Sequence, residues 1–359
     1  MARRRQAVTI KHVAADAGVS LQTVSRVINN EANVRAEMRE KVQASIDKLG
    51  YVPSIAAQRM SGSRSYLILA LNDRERTIAD WRARQGTDWV DQMLLGGMLE
   101  CAEHGYRLIF ELVDTHSDHV ERELSAAIAA LQPDGAILTP PHSDNPQILE
   151  VLARHNIPFA RIGAQSGEHG LPEGICVSMD DEGGAKLATS HLLELGHRRI
   201  GMISGPAEYR LAGARVDGWR AAMDAAGCST EGLLEAGDFT FASGARAARA
   251  LLMREDRPTA IIASNDQMAL ATSEIAGELG LAIPADLSLV SFDNTPLVRF
   301  TRPALTAVDQ PIAETTATAV RLLISLQRDD VPRLEPVIIP MGFVVRGSTG
   351  APVDCLQES

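Results

Sequence analysis

From residue 66 onward, short apolar runs alternate with longer stretches whose apolar residues recur every three or four positions. Runs such as Tyr66–Leu71, Gly135–Leu138 and Ala260–Ser264 have the length of buried strands. The stretches between them, such as Trp89–His104, gather their apolar residues on one face of a helix. Continuous apolar strands that alternate with helices indicate parallel sheets covered on both faces. Two such series follow one another and join near residue 165, so the pattern predicts two similar α/β subdomains.

The first thirty residues have a different pattern, that of two short helices joined by a tight turn. Thr9 and Ser20 can each cap a helix, because a hydroxyl accepts an unpaired amide proton of the opening turn. Gly18 supplies the backbone freedom that the turn needs. The second helix turns Val24, Val27 and Ile28 inward and presents on its other face Leu21, Gln22, Ser25, Arg26 and Asn29. Such a helix fits the major groove of DNA, where Gln and Arg pair with base edges, although a plain amphipathic hairpin is the alternative.

A third helix and a short helical segment follow. Val42, Ile46 and Leu49 share the inward face of this helix, and Gly50 is positioned to end it. The segment Ser54–Met60 has a helix-forming composition but is too short to be a stable helix by itself. It would become ordered when paired with a second copy on DNA, or it is a plain linker.

The charge of the chain is unevenly distributed. The net charge is −11, but residues 1–64 carry eleven Lys and Arg against five Asp and Glu, so this segment is +6 and the remainder −17. A basic module attached to an acidic body indicates a nucleic-acid contact at one end, because phosphate repels the acidic part. Four scattered cysteines without a CxxC pair exclude a small disulfide scaffold and a zinc ribbon. No apolar run approaches the roughly 18 residues of a membrane span, and no signal-peptide core is present, so we expect a cytoplasmic protein without a membrane partner.

Polar side chains follow several predicted strands of the acidic body, at the edge where open α/β sheets bind ligands. They include Asn72-Asp73, Thr139, Asn265-Asp266 and Asp293-Asn294, with Arg215 in a following helix. Short carboxylates, amides and a guanidinium match the vicinal hydroxyls of a sugar, and Trp89 and Phe239 can stack on a pyranose. Each Asp or Asn after a strand can equally be a helix cap.

Several motifs along the chain match one family. They are the run Thr9–Asn29, the Tyr51-Val-Pro53 link, the Ala56–Met60 segment, and in the body His191–Ile200, Ser264–Ala269 and Ser291–Asn294. These motifs resemble the lactose-repressor/galactose-repressor (LacI/GalR) family of bacterial transcription regulators, and the resemblance covers the chain from about Thr9 to Gly347. It implies a small all-α helix-turn-helix domain and an α/β core of two subdomains with parallel sheets, of the periplasmic-binding-protein-like type I class.

In that family, two helix-turn-helix modules bind a palindromic operator, and paired hinge helices insert an apolar residue into the minor groove. The resemblance therefore implies DNA contacts from Thr9, Ser20, Leu21, Gln22, Thr23, Ser25, Arg26, Asn29, Ala57 and Met60. Gln22 and Arg26 are the candidate base readers. Met60 stands where the family usually has leucine, and its apolar tip has about the size that unstacking needs. Arg35 stands where the family usually has a small hydroxyl that caps the third helix, so this cap is in doubt.

The resemblance also implies an effector site between the two subdomains. Its predicted residues are Arg215, Asn265 and Asp293 as a polar clamp, Phe239 and Trp89 as aromatic contacts, and Thr139 and Gln310. Two features depart from the family pattern. The loop of residues 72–86 is longer and more charged than in many members, so effector contacts cannot be transferred to it. Gly163 stands where some relatives carry a ligand-binding acid.

These inferences divide the chain into a helix-turn-helix domain, a hinge, a core and a tail. The predicted boundaries are 1–50, 51–65, 66–347 and 348–359, with a first subdomain of 66–163 plus 295–325 and a second of 164–294 plus 326–347. The tail has no leucine heptads, so we predict a homodimer rather than a tetramer.

The predicted function is that of a repressor of sugar-catabolism genes, controlled by a small sugar or glycoside. A repressor that senses a purine or nucleoside, and a sugar-binding protein without a DNA function, are the alternatives. No GxSxG, GxGxxG or GxxxxGK[ST] motif is in a suitable place for an enzyme. The segment Asp114–His119 has metal-binding residue types, but a solvated strand end is the better interpretation. We therefore predict no catalytic residues, no cofactor and no metal site.

Overall fold

The computed structural model describes residues 8–28, 33–51, 64–84, 86–114, 119–164, 171–326 and 335–352. The chain separates into two compact units, residues 1–66 and residues 67–359. Within the described ranges, no helix is both long and apolar enough to cross a membrane.

The N-terminal unit contains three helices, α1 (Ile10–Ala17), α2 (Leu21–Ile28) and α3 (Ala36–Leu49). Ser20, Gly18 and Gly50 act at the helix ends as predicted, whereas at Thr9 the bond is made by the backbone N–H rather than by the predicted hydroxyl acceptor. The backbone N–H of Thr9 donates to Nδ1 of His12 at 3.0 Å where α1 begins, and Ser20 Oγ accepts from the N–H of Thr23 at 3.1 Å in α2. Gly18 and Gly50 end α1 and α3 in the left-handed region, with φ of +67° and +60°. The helices enclose a small apolar core.

Helix α3 follows its N-cap residue Arg35, whose side chain makes no capping hydrogen bond. The doubt that the sequence raised about this cap is therefore confirmed, since a guanidinium has no acceptor for an amide proton.

The second unit contains two lobes, each built on a six-stranded sheet. The first lobe has the strand order β11-β5-β4-β3-β1-β2, and every pairing in it is parallel. Its strands are β1 (Leu67–Asp73), β2 (Arg107–Val113), β3 (Gly135–Leu138), β4 (Phe159–Ile162), β5 (Ile175–Met179) and β11 (Val337–Ile339). Its helices are α4 (Arg74–Ala83), α5 (Asp88–Glu103), α6 (Val120–Leu131), α7 (Pro146–Arg154) and α13 (Ile312–Leu326).

The second lobe has the strand order β12-β10-β9-β8-β6-β7, with only β12 antiparallel among the described pairings. Its strands are β6 (Ile200–Ser204), β7 (Leu234–Ala236), β8 (Ala260–Ala263), β9 (Ser288–Asp293), β10 (Thr306–Asp309) and β12 (Gly342–Val344). Its helices are α8 (Asp181–Glu194), α9 (Arg210–Ala225), α10 (Phe241–Leu252), α11 (Asp266–Glu278) and α12 (Leu297–Phe300). The fold class predicted from the sequence, a small helical domain with a parallel α/β core of two subdomains, is confirmed.

The strand pairing corrects the predicted division of the core into subdomains. Residues 164–294 were assigned to the second subdomain, but β5 pairs with β4 in the first sheet. Residues 295–325 were assigned to the first subdomain, but β10 pairs with β9 in the second sheet. Residues 326–347 were assigned to the second subdomain, but β11 pairs with β5 in the first sheet. The chain thus passes between the lobes after β5, after β10 and between β11 and β12. An apolar run shows that a strand is buried, whereas its sheet is decided by hydrogen bonds to strands far away in the chain.

Candidate functional site

A cleft lies between the two lobes, beyond the carboxyl ends of the central parallel strands, with about 960 Å³ of empty space when the open solvent at its mouth is included. It brings together every effector residue predicted from the sequence: Trp89, Thr139, Arg215, Phe239, Asn265, Asp293 and Gln310. Residues that the sequence places up to about 220 positions apart converge here, because strand ends of both sheets face the same gap. That these side chains bind an effector stays a prediction.

Arg215 is a buried charge at the wall of the cleft, with 2% of its surface exposed. Its Nε donates to Asp181 Oδ1 at 2.8 Å, and its Nη1 donates to the carbonyl of Ser264. The guanidinium carbon also lies 4.5 Å from the ring centroid of Phe292. These contacts hold the guanidinium plane in place before any ligand arrives.

Two neighbouring carboxylates lie at the ends of β8 and β9. The Asp293 carboxylate accepts from Gln310 Nε2 and from the N–H of Asp266, the latter at 3.3 Å. The Asp266 carboxylate accepts from Ser291 Oγ and, at 2.7 Å, from the N–H of Thr295. Burial raises the pKa of Asp293 to about 6, and burial together with the charge of Asp293 raises the pKa of Asp266 to about 8. Both carboxyl groups are therefore held more readily in the protonated form than a solvated aspartate is.

Gln310 leaves one acceptor unused. Its side chain is 8% exposed, and its Oε1 has no hydrogen-bond partner among the described residues. An unsatisfied buried acceptor costs about 1–3 kcal/mol, so a donor from a bound molecule would be stabilising at this position. A hydroxyl group of a ligand is such a donor.

Asn265 and Thr139 have structural roles in addition to lining the cleft. Asn265 Oδ1 accepts from the N–H of Met268 at 2.9 Å and so caps α11, and its Nδ2 donates to the carbonyl of Phe239 at 2.8 Å. Thr139 Oγ1 lies 3.0 Å from both the Leu71 carbonyl and Asn72 Oδ1. The helix-cap alternative raised from the sequence thus describes Asn265 correctly, although its side chain also borders the cavity.

Phe239 forms an aromatic wall under backbone strain. Its φ of +68° lies in the left-handed region, which is unfavourable for a bulky residue and is found mainly at functional sites. Its ring packs edge-to-face on Tyr209, with centroids 5.6 Å apart. A Cβ atom added to Gly205 would lie far inside van der Waals contact with this ring, so only glycine fits there.

Asn72 and Asp73, which were candidates from the sequence, line the cleft, whereas the contribution of residues 74–88 was not predicted. Residues 74–83 form α4, which brings Arg76, Thr77 and Asp80 to the cleft, and Asp88 follows at the start of α5. Asp73 caps α4 by accepting from the N–H of Arg76 at 2.7 Å. An Asp directly after an apolar strand was the signal available for this helix, because Asp is a favoured N-cap residue.

The candidate DNA-reading face lies on α2. Leu21, Gln22 and Arg26 are exposed, while Val24 and Val27 are buried against the other helices. Thr9 and Ser20 are exposed where their helices begin, and Thr23 and Ser25 are partly exposed. The predicted contacts Asn29, Ala57 and Met60 lie outside the described residues. The placement leaves the polar face open to solvent, and its contact with DNA stays a prediction.

Comparison with known proteins gives two family matches. Residues 9–54 match the family described as bacterial regulatory proteins, lacI family, and residues 189–349 match the periplasmic binding protein-like domain. The chain is 31% identical over 351 residues to the HTH-type transcriptional regulator CelR of Thermobifida fusca, covering 96% of this chain and 99% of that protein.

Solved structures agree with this result. A complex of the transcriptional regulator CelR with cellobiose superimposes with a TM-score of 0.71 at 30% identity, covering 95% of this chain and 99% of that one. The lac repressor dimer bound to operator and the anti-inducer ONPF gives a TM-score of 0.75 at 27% identity, with coverage of 96% and 100%.

Proposed function

The chain belongs to the LacI family of bacterial regulatory proteins, and from this we propose that it is a DNA-binding transcription repressor whose operator affinity is changed by a small sugar or glycoside. One observation supports the proposed effector site above all: a single cleft is lined by Arg215, Asp293, Gln310 and the Phe239 ring. Its relatives are transcriptional regulators.

The chemistry of the cleft supports a hydroxyl-rich, uncharged effector. Arg215 is a donor held in place by Asp181, Asp293 is an acceptor, and Gln310 Oε1 is an acceptor without a partner among the described residues. Vicinal hydroxyls of a sugar donate and accept at the same time, so they match a site with both kinds of group. Trp89 and Phe239 provide apolar faces for the ring of a pyranose. The solved complex of CelR with cellobiose makes neutral disaccharides the first compounds to test.

DNA recognition requires two copies of the α2 face. One helix reads too few base pairs for specificity, whereas a twofold dimer reads a palindrome. Helix α5 offers a surface for this dimer: Leu95, Met98 and Leu99 lie on one of its faces and are 48%, 56% and 64% exposed. Apolar side chains at spacings of three and four positions form a continuous stripe, which a second copy would bury. The lac repressor relative was solved as a dimer on its operator.

Effector binding is expected to act through the angle between the lobes. The three passages of the chain between the sheets allow one lobe to rotate against the other, and a ligand touching both lobes favours one angle. A coupling of about 1–3 kcal/mol between effector and operator binding is typical of such systems.

The effector class is tested by isothermal titration calorimetry of the whole chain. Cellobiose, maltose and lactose are compared with hypoxanthine, guanine and adenosine, and we expect a disaccharide to bind. Binding of a purine or nucleoside alone would favour the alternative effector class.

The DNA function is tested by selection from random duplexes with and without the sugar that binds, followed by fluorescence anisotropy. We expect a palindromic site whose affinity changes with the sugar. Failure to enrich any palindrome under either condition would contradict the proposal.

A further inference from the structure

Helix α4 is fixed to the first lobe at both of its ends. Arg74 Nη2 donates to the carbonyl of Leu112 at 2.9 Å and to Glu123 Oε2 at 2.7 Å. Near the other end, the Trp81 ring stacks on Phe110 of β2, with centroids 5.8 Å apart and planes inclined by 29°. The helix therefore lies over the ends of β1 and β2 and moves with the first lobe.

Arg76 extends from this helix to the second lobe. Its Nη1 donates to the carbonyl of Asp238 at 2.9 Å, across 162 positions of sequence. Its guanidinium carbon lies 5.5 Å from the ring centroid of Phe239 and 5.9 Å from that of Tyr209. This contact is specific, because the planar guanidinium lies against two aromatic rings and also donates a hydrogen bond to a carbonyl. It is therefore more than a long-range attraction between charges.

The inner face of α4 borders the cavity. Thr77 is buried and lines it, and Asp80 lines it with Oδ2 3.6 Å from Nε of Arg76. Burial raises the pKa of Asp80, in keeping with a carboxyl group that faces an enclosed space. A molecule in the cleft therefore has α4 on one side and the strand ends on the other.

A second contact joins the lobes at a different place. Arg210 of α9 donates through Nε to Asp144 Oδ2 at 2.9 Å, and the buried Arg161 of β4 holds the other oxygen of Asp144. The Arg210 side chain is 42% exposed, so solvent screens its ion pair with Asp144. The Arg76 contact lies against the aromatic wall of the cleft itself, so it is the one positioned to control entry.

We propose that α4 is a lid of the cleft and that Arg76 fastens it to the second lobe, with Thr77 and Asp80 selecting what binds beneath it. The proposal rests on the proposed function in treating the cleft as an effector site. Arg76 is a positioning residue: it holds the two lobes together through Asp238, Phe239 and Tyr209. Loss of Arg76 opens the cleft.

Tryptophan fluorescence tests the lid without any ligand. The chain has three tryptophans: Trp81 on α4, Trp89 in the cleft and Trp219, which is fully buried. In a Trp81→Phe background, which keeps an aromatic ring against Phe110, quenching by acrylamide reports mainly on Trp89. Adding Arg76→Ala should raise the quenching constant about twofold or more, as the open state becomes the main population.

The matched control is Arg82→Ala, an exposed arginine on the same helix. It should leave the quenching constant unchanged. Arg76→Lys keeps the charge but loses the planar group, so it should give an intermediate constant. Circular dichroism verifies that each variant is folded. Quenching equal to that of the background in folded Arg76→Ala and Arg76→Lys would overturn the proposal.

The dissociation rate of cellobiose then distinguishes a failure of the lid proposal from a failure of the proposed effector class. If cellobiose binds, Arg76→Ala should increase its dissociation rate about tenfold, equivalent to about 1.4 kcal/mol, with little change in the association rate. An unchanged dissociation rate would contradict the lid. If the unmodified chain binds none of the sugars, the proposed effector class fails, while the quenching result still decides whether α4 closes the cleft.

Discussion

Replacement of Arg215 by methionine is the most demanding test of the charge arrangement in the cleft. Methionine preserves much of the length of the side chain but removes the guanidinium that contacts Asp181 and the Ser264 carbonyl. Both Arg215 and Asp181 are buried, with 2% and 5% of their surfaces exposed. The variant therefore leaves the buried Asp181 carboxylate without its counter-charge.

The size of the effect follows from this burial. Breaking a buried ion pair by removing one partner costs about 3–5 kcal/mol of unfolding free energy, because the remaining charge is uncompensated. Removing both charges costs less, since Asp181 no longer lacks its counter-charge and only Asp293, whose pKa the charge of Arg215 lowers, still loses a favourable neighbour. Asp181→Asn with Arg215→Met should therefore be about 2 kcal/mol more stable than Arg215→Met alone, which is a coupling of the size that contacting residues show.

Urea unfolding followed by tryptophan fluorescence measures both variants. Trp219 is a suitable probe, because its ring N–H donates to the carbonyl of Ile200 at 3.1 Å and its side chain is fully buried. A loss below about 1 kcal/mol for Arg215→Met would be ordinary for a point mutation and would refute the reasoning. A double variant no more stable than the single one would refute it equally. If the double variant folds, its loss of effector binding with retained operator binding would assign the Arg215–Asp181 pair to the cleft function.

Three further predictions address the other parts of the molecule. Gln22→Ala should weaken operator binding by about 1–3 kcal/mol and relax specificity at one base pair, measured by anisotropy with operator variants; an unchanged base preference would exclude Gln22 as a base reader. Gly205→Ala should displace the Phe239 ring and weaken sugar binding about tenfold in calorimetry, a loss of about 1.4 kcal/mol, whereas Gly213→Ala, where an added Cβ meets nothing within 4 Å, should leave it unchanged. Folding raises the pKa of Asp266 and of Asp293, so the folded state holds protons that the unfolded state has already released. The free energy of unfolding should therefore be higher at acidic pH and should fall as the pH rises from about 4 to 8. Urea unfolding at pH 5 and pH 8 should show this loss, and Asp266→Asn should reduce it; an equal pH dependence in the variant would contradict the assignment.

The strain in the cleft has a structural explanation. Phe239, Asp293 and Asn294 have φ values of +68°, +88° and +62° and lie at or beside the cleft. Each such residue costs of order 1–3 kcal/mol, so the surrounding structure must hold it. Asn265 does so for Phe239 by donating to its carbonyl, and Gln310 donates to Asp293. Rigid side chains at a binding site reduce the ordering cost of binding.

Much of the candidate site was predictable from the sequence because strand ends are recognisable. An apolar run followed by Asn-Asp or Asp-Asn marks the carboxyl end of a strand, and parallel strands place these ends at one edge of a sheet. Residues on α4 were not predictable in the same way. Arg76 and Asp80 lie in a charged stretch that has the composition of a solvated loop, and their role depends on a second lobe reached 162 positions later.

The sequence by itself determined the local elements of this protein, while the tertiary structure decided how they are joined. The turn between α1 and α2 is encoded within a few positions, since Gly18 and Ser20 act on backbone groups no more than four residues away. Sheet membership is different: β5 and β11 are both short apolar runs that can pair with many partners, and their actual pairing joins residues about 160 positions apart. Only the folded chain brings such distant groups into hydrogen-bonding distance, which is why the lobe to which each strand belongs and the contact of α4 with the second lobe became visible in the structure alone.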